Sequence, residues 1–125
     1  MSGPRLLIVD DEKSLRDMLG LLFHKQGFEV MTAANYTEGV AAAVRSSPDV
    51  ILCDIKMPDG NGLDLLKKVK EEHPQTPMIM ITAHTSTEDA IEAMKRGAVD
   101  YISKPFNNDE LVLIASRQHR FAQQT

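Results

Sequence analysis

The stretch Val50-Ile51-Leu52-Cys53-Asp54 places one carboxylate at the end of four consecutive apolar residues. A short run that is apolar at every position is typical of a strand covered on both faces, as in a parallel sheet. The segment that follows, residues 55–62, is rich in Pro, Gly, Asp and Asn and predicts a turn. Asp54 would then stand at the carboxyl end of a central strand, where open α/β sheets place their ligand sites. Because many strand-end Asp residues only form turns, the other strand ends decide its role.

Length and composition indicate one globular domain. The chain has 125 residues, of which 42% are hydrophobic and 26% charged, enough for one core but too few for two domains. The net charge of −4 argues against direct nucleic-acid binding by this domain. Cys53 is the only cysteine, which excludes an internal disulfide and fits a cytoplasmic protein. The apolar run before Asp10 is too short for a signal peptide or a membrane span.

Five strand patterns alternate with five helix patterns along the chain. The strands are predicted to start at positions 6, 28, 50, 78 and 99, and the second and fifth mix polar with apolar residues, as edge strands do. Thr37 is the expected N-cap of the second helix, Ser86 of the fourth, and residues 107–110 begin the fifth. Right-handed crossovers between parallel strands place helices on both faces. The prediction is an α/β, flavodoxin-like (βα)5 doubly wound parallel sheet with strand order 2-1-3-4-5.

Acidic, hydroxyl and basic side chains follow four of the strand ends. Asp10 and Asp11 follow the first strand, Asp54 the third, Thr82 closes the fourth, and Lys104 lies two residues past the fifth. Each alone has a structural explanation as a helix cap, strand end or turn, but parallel strands bring all of them to one edge. Crowded carboxylates repel one another unless a cation lies among them, and an all-oxygen ligand set favours Mg²⁺. The set predicts a site for a transferred phosphoryl group, with Asp54 as the attacking carboxylate.

Several longer motifs surround these residues, and through them the chain resembles the receiver domain of bacterial two-component response regulators over nearly its whole length. The matching segments are Ile8-Val9-Asp10-Asp11-Glu12, Asp54-Ile55-Lys56-Met57-Pro58-Asp59-Gly60-Asn61-Gly62, Ile81-Thr82-Ala83-His84, Gly97-Ala98, Asp100-Tyr101 and Lys104-Pro105-Phe106. Residues 82–106 are further similar to receivers of the nitrogen-regulation type, whose full-length proteins activate transcription with an alternative sigma factor. The resemblance implies that residues 1–125 form one receiver domain, the N-terminal part of a longer cytoplasmic regulator.

The resemblance assigns the acceptor and the metal ligands. It implies that Asp54 accepts a phosphoryl group from a histidine kinase. Asp11, helped by Asp10, would hold Mg²⁺ together with Asp54 and the backbone carbonyl of Lys56.

The resemblance also assigns the residues that respond to the phosphoryl group. Lys104 would bind its oxygens, Thr82 would bond to them after transfer, and Tyr101 would be the aromatic switch. It implies a cis peptide bond before Pro105. The changed surface would be the fourth helix, fifth strand and fifth helix, facing a C-terminal effector domain, a downstream protein or a second copy in a homodimer.

Two other functions compete with this interpretation. An Mg²⁺-dependent aspartyl-phosphate phosphatase has a similar site, but such enzymes usually carry a second Asp two residues after the nucleophile, where this chain has Lys56. They also usually need a cap domain to enclose a substrate. A flavodoxin-like nucleotide binder would need a Gly-rich loop opening the first helix, and none is present. We therefore expect a signalling module that reacts only with itself, and not an enzyme acting on an outside substrate.

Overall fold

The computed structural model describes residues 3–83 and 86–124. Within these ranges, side chains are described up to residue 118. His84, which belongs to one of the matching motifs, lies outside the described residues. The strands are β1 (Arg5–Val9), β2 (Glu29–Ala33), β3 (Val50–Cys53), β4 (Lys56–Met57), β5 (Gly60–Asn61), β6 (Met78–Thr82) and β7 (Asp100–Ser103). The helices are α1 (Lys13–Lys25), α2 (Tyr36–Ser46), α3 (Gly62–Glu72), α4 (Thr87–Lys95) and α5 (Asn108–Gln124).

Five of the strands form one parallel sheet in the order β2-β1-β3-β6-β7. Because β6 and β7 are the fourth and fifth predicted strands, the predicted order 2-1-3-4-5 is confirmed. The registers place Val9 beside both Ala33 and Cys53, and Thr82 beside Ser103. The strands therefore end at one common edge, and the residues that follow them are neighbours.

The sheet separates two hydrophobic clusters, because alternate residues of each strand point to opposite faces. One face packs on α2, α3 and α4, and includes Leu7, Ile51 and Met80. The other packs on α1 and α5, and includes Ile8 and Leu52. These strand side chains are fully buried, and each contributes about 1.5–3 kcal/mol by leaving water. Burial on both faces explains why the central strands are apolar at every position.

Cys53 is fully buried in the cluster on the α2, α3 and α4 side. Its Sγ lies 3.1 Å from the carbonyl oxygen of Asp54. Cys53 is therefore part of the hydrophobic core.

The helix caps differ from the prediction at one place. The N-cap of α2 is Asn35, whose Oδ1 accepts a hydrogen bond of 2.9 Å from the N–H of Glu38. The prediction of Thr37 is wrong, because both residue types can cap a helix and the sequence does not show which one precedes the first turn. Ser86 caps α4, and Asn107 accepts a hydrogen bond from the first turn of α5, both as predicted.

A short antiparallel hairpin lies between β3 and α3, where the sequence predicted only a turn. Lys56 pairs with Asn61 and Met57 with Gly60, which leaves Pro58 and Asp59 at the tip. We call residues 56–61 the 56–61 hairpin. It connects the end of the central strand to α3.

No helix within the described ranges is long and apolar enough to cross a membrane.

Candidate functional site

The sheet places two carboxylates side by side at its carboxyl edge. The N–H of Asp10 donates to the carbonyl of Ala33 at 3.1 Å, and that of Asp54 donates to the carbonyl of Val9 at 2.9 Å. These bonds continue the strand ladders one residue beyond β1 and β3, so both backbones are fixed. The Asp10 side chain is fully buried, and that of Asp54 is 10% exposed.

Lys104 connects these two carboxylates. Its Nζ lies 2.8 Å from Oδ2 of Asp10 and 3.2 Å from Oδ2 of Asp54, and only 13% of its side chain is exposed. The backbone N–H of Lys104 donates to the carbonyl of Thr82 at 2.8 Å, which fixes the lysine beside β6. The peptide bond to Pro105 is cis, as predicted.

Asp11 completes an acidic cluster with Asp10 and Asp54. One carboxylate oxygen from each residue lies within 4.8 Å of the others, and Asp11 is exposed where the other two are buried. One ammonium group among three carboxylates leaves the cluster with a negative charge. Because it offers hard oxygen ligands and is open to water at Asp11, it fits the needs of Mg²⁺, which keeps several of its own waters. The structure thus brings the three predicted carboxylates together.

The environment changes the acidity of Asp54 and Lys104. Burial raises the pKa of the Asp54 carboxyl and the charge of Asp10 raises it further, which together outweigh the opposing charge of Lys104. Burial lowers the pKa of Lys104, but the hydrogen bonds and charges of Asp10 and Asp54 outweigh it, so the net change is upward. Lys104 therefore holds its proton more tightly than a free lysine, and ionisation of Asp54 is less favourable than that of a solvated carboxyl.

The remaining predicted residues surround this centre. Lys56 is exposed at the start of the 56–61 hairpin, two residues past Asp54. Thr82 is fully buried at the end of β6. Tyr101 is partly buried on β7 and packs against the cluster on the α2, α3 and α4 side. Its pKa is raised by burial first, and then by the charges of Asp89 and Asp54.

Three contacts at the site were not predicted from the sequence. Nη1 of Arg16 donates to the carbonyl of Asp10 at 2.7 Å. Oε1 of Glu12 lies 3.8 Å from Nζ of Lys104. The carboxylate of Asp59 binds the first turn of α2 through Tyr36 and Thr37. Charged residues on loops and at helix starts are common in any sequence. No local sequence pattern distinguishes the ones that make such contacts from those that only face water.

This fold and this edge of charged residues are those of the response regulator receiver domain, and the chain belongs to that family. The family model, described as the response regulator receiver domain, matches residues 6–116. The regulatory protein AtoC of Escherichia coli is 44% identical over 113 residues, covering 90% of this chain and 24% of AtoC. The DNA-binding transcriptional regulator NtrC of Salmonella typhimurium is 42% identical over 110 residues, covering 88% of this chain and 24% of NtrC. The chain thus spans about a quarter of the length of these two relatives.

Solved structures agree with the assignment. The crystal structure of a response regulator receiver domain protein (CheY-like) from Methanospirillum hungatei superimposes with a TM-score of 0.93 at 33% identity. The match covers 99% of this chain and 100% of that one. The predicted fold and family are confirmed, and the similarity to NtrC confirms the resemblance to receivers of the nitrogen-regulation type.

Proposed function

We propose that this receiver domain is a phosphorylation-controlled switch in which Asp54 accepts a phosphoryl group from a histidine kinase with the help of Mg²⁺. The observation that carries the proposal is the position of Lys104. Its ammonium bonds Asp10 and Asp54 at once, beside a cluster of three carboxylates. A buried carboxylate next to a fixed cation and an open group of oxygen ligands suits a reaction on a phosphoryl group.

The chemistry follows from the placement of the side chains. A carboxylate oxygen of Asp54 attacks the phosphorus of a phosphohistidine, a P–O bond forms as the P–N bond breaks, and the imidazole leaves. The product is an acyl phosphate on Asp54. The ammonium of Lys104, already within 3.2 Å of this carboxylate, neutralises charge on the phosphoryl oxygens. The hydroxyl of Thr82, at the end of β6, is the donor assigned to those oxygens after transfer.

Asp11, Asp10, Asp54 and the backbone carbonyl of Lys56 are the groups that would hold Mg²⁺. When bound, the ion offsets the negative charge of the phosphoryl oxygens. Asp10 already accepts two bonds, from Lys104 and from the N–H of Glu12 at 2.9 Å. We therefore assign the larger share of the binding to Asp11 and Asp54.

The acceptor is tested with acetyl phosphate and Mg²⁺, followed by intact-mass analysis. The chain should gain one phosphoryl group, and Asp54→Asn should gain none while keeping its fold by circular dichroism. Asp64→Asn is the matched control, because Asp64 is an exposed carboxylate on α3 that pairs only weakly with Arg96 at 3.6 Å. Full phosphorylation of Asp54→Asn, with the group mapped to another residue, would contradict the assignment.

The same reaction distinguishes a switch from the alternative Mg²⁺-dependent phosphatase. A switch forms about one acyl phosphate per chain, whereas a phosphatase releases many equivalents of phosphate in a short time. The exposed Lys56 occupies the position where such phosphatases usually carry their general acid, which favours the switch and a domain that is not itself an enzyme. Rapid turnover of acetyl phosphate would reverse this preference.

We further propose that the output is transcriptional and that the domain works in the cytoplasm. The relatives AtoC and NtrC are a regulatory protein and a transcriptional regulator by name, which supports a C-terminal effector domain or a downstream protein as the recipient of the signal. The proposed contact surface is formed by α4, β7 and α5. Two large apolar side chains on α4, Ile91 and Met94, are 51% and 49% exposed. Exposed apolar side chains favour docking of an effector or a second copy on this surface.

A further inference from the structure

The tip of the 56–61 hairpin is attached to the start of α2. The carboxylate of Asp59 accepts hydrogen bonds from the N–H groups of Tyr36 at 2.8 Å and of Thr37 at 3.1 Å. It also accepts one of 2.7 Å from Oγ1 of Thr37. The two N–H groups lie in the first turn of the helix and have no partner within it. One side chain thus connects segments 22 and 23 residues apart.

A second contact reinforces this attachment. The ring of Tyr36 lies so close to the backbone of Gly60 that a Cβ at that position would come within 2.5 Å of its Cγ. The backbone of the hairpin therefore packs directly against Tyr36 of α2 at Gly60, the residue after Asp59. The hydrogen bonds with Thr37, Tyr36 and the Asp59 backbone also hold the pKa of Asp59 below its ordinary value.

The base of the hairpin is fixed separately. The N–H of Gly62 donates to the carbonyl of Ile55 at 2.6 Å, and Asn61 accepts a bond of 2.7 Å from the N–H of Leu63 at the start of α3. Lys56 lies between the fixed base and the attached tip. Release of the tip would therefore remove one of the two constraints on the hairpin that carries Lys56.

We propose that Asp59 is a positioning residue, which attaches the 56–61 hairpin to α2 and so holds the backbone carbonyl of Lys56 in place to bind Mg²⁺. The inference rests on the proposed function, since it takes that carbonyl as a metal ligand. Asp59 itself does not touch the metal or the phosphoryl group. It acts through the backbone that carries Lys56, as residues outside the ligand shell of a metal commonly do.

The test is Mg²⁺ affinity, measured by calorimetric titration of the 125-residue chain without any phosphate donor. Asp59→Ala should weaken Mg²⁺ binding by about tenfold, the lower end of what loss of a supporting residue costs. Thr37→Val removes only the hydroxyl donor and should weaken it less. Asp59→Asn should bind Mg²⁺ more tightly than Asp59→Ala, because its amide can still accept from the Tyr36 N–H and donate to Oγ1 of Thr37, although the Thr37 N–H loses its acceptor.

Glu38→Ala is the matched control. Its carboxylate, in the first turn of α2, accepts from the N–H of Ala34 at 3.1 Å and from the side chain of Asn35 at 3.1 Å, and neither of these hydrogen bonds involves the hairpin. Both alanine variants remove an exposed negative charge and lower the melting temperature, but only Asp59→Ala should lose Mg²⁺ affinity at a temperature where both are folded. Circular dichroism at that temperature verifies the folding.

Three results would overturn the inference. They are unchanged affinity in Asp59→Ala, an equal loss in Glu38→Ala, and an Asp59→Asn variant as weak as Asp59→Ala, which would assign the effect to charge alone. If Asp59→Ala does not fold, the Mg²⁺ affinities of Thr37→Val and Asp59→Asn, compared with that of the original chain, test the inference instead. Failure of the proposed function gives a different result, because the unmodified chain would then bind no Mg²⁺ and accept no phosphoryl group.

Discussion

Lys104 is the residue on which the charge balance of the site depends. Its partners, Asp10 and Asp54, have side chains that are 0% and 10% exposed, so neither carboxylate is well solvated. Removing one member of a buried ion pair costs more than the pair contributes, because the other charge stays buried and unpaired. We therefore expect the lysine to stabilise the domain in the absence of Mg²⁺, in addition to its proposed role toward the phosphoryl group.

We predict that Lys104→Ala lowers the free energy of unfolding by about 3 kcal/mol in Mg²⁺-free buffer, measured by urea denaturation. The control is Lys13→Ala, which removes an exposed ion pair with Asp17 of similar length, 2.7 Å, whose side chains are 80% and 62% exposed. That change should cost less than about 1 kcal/mol. Equal losses in the two variants would show that burial does not determine the contribution of Lys104.

Asp54 has the opposite effect on stability. Its pKa is raised by burial and by Asp10, so the folded state holds its proton more tightly than the unfolded state, where the pKa is about 3.9. Between these two pKa values the folded state binds more protons, so stability falls as the pH rises through the folded pKa. We predict that Asp54→Asn melts at a higher temperature than the original chain at neutral pH without Mg²⁺.

This advantage of Asp54→Asn should shrink as the pH is lowered toward the pKa of the unfolded carboxyl, about 3.9. Melting curves over that pH range measure it directly. With Mg²⁺ added, the original chain should gain more than the variant, because only the folded state with the intact carboxylate binds the ion well. A variant less stable than the original chain at neutral pH would mean that Asp54 stabilises the metal-free fold.

At the scale of elements, β6 and β7 connect the site to the proposed output surface. Thr82 ends β6 beside Ser103 of β7, and Tyr101 lies two residues earlier on that strand. A phosphoryl group adds about −1.5 to −2 charges and strong acceptor oxygens. We expect it to draw the hydroxyl of Thr82 toward Asp54, and the ring of Tyr101 to turn inward as the space beside β7 changes.

We predict that Thr82→Ala still accepts a phosphoryl group but that the structural change reaches Tyr101 poorly. With beryllofluoride as a phosphoryl mimic, NMR shifts in the original chain should extend from Thr82 through Tyr101, and in the variant they should stay near the ligand. Thr32→Ala on the edge strand β2 is the control, because Thr32 is exposed and β2 lies at the opposite edge of the sheet from β7, which carries Tyr101. Shifts that reach Tyr101 equally in Thr82→Ala would contradict this relay.

The sequence predicted the elements well where one local pattern determined them. Strands that are apolar at every position, such as 50–53, can only be buried on both faces, and the half-polar strands were correctly assigned to the sheet edges. The carboxylates and Lys104 were found because topology alone brings strand ends together. The N-cap of α2 was wrong because Asn35 and Thr37 are both good caps. The contact of Asp59 spans 22 residues, and no local pattern indicates it.

At the scale of the whole molecule, the exposed apolar side chains of α4 support association through the surface of α4, β7 and α5. We predict that beryllofluoride increases self-association of the chain and that Ile91→Lys abolishes the increase, measured by sedimentation velocity. Val44→Lys is the control, because Val44 is 50% exposed on α2, away from that surface, against 51% for Ile91. Loss of association in both variants would indicate nonspecific contacts. Association that persists in Ile91→Lys would place the interface elsewhere.

The hydrogen bond between Asp10 and Lys104 joins residues 94 positions apart, and this separation determines when the site can exist during synthesis. A ribosome that has produced β1, β3 and their three carboxylates has not yet made the lysine that pairs with them. Until β7 has left the exit tunnel and docked beside β6, the acidic edge lacks its own cation. The proposed reactive centre is therefore completed only when Lys104 joins it, so a chain still short of residue 104 lacks the cation of the proposed site.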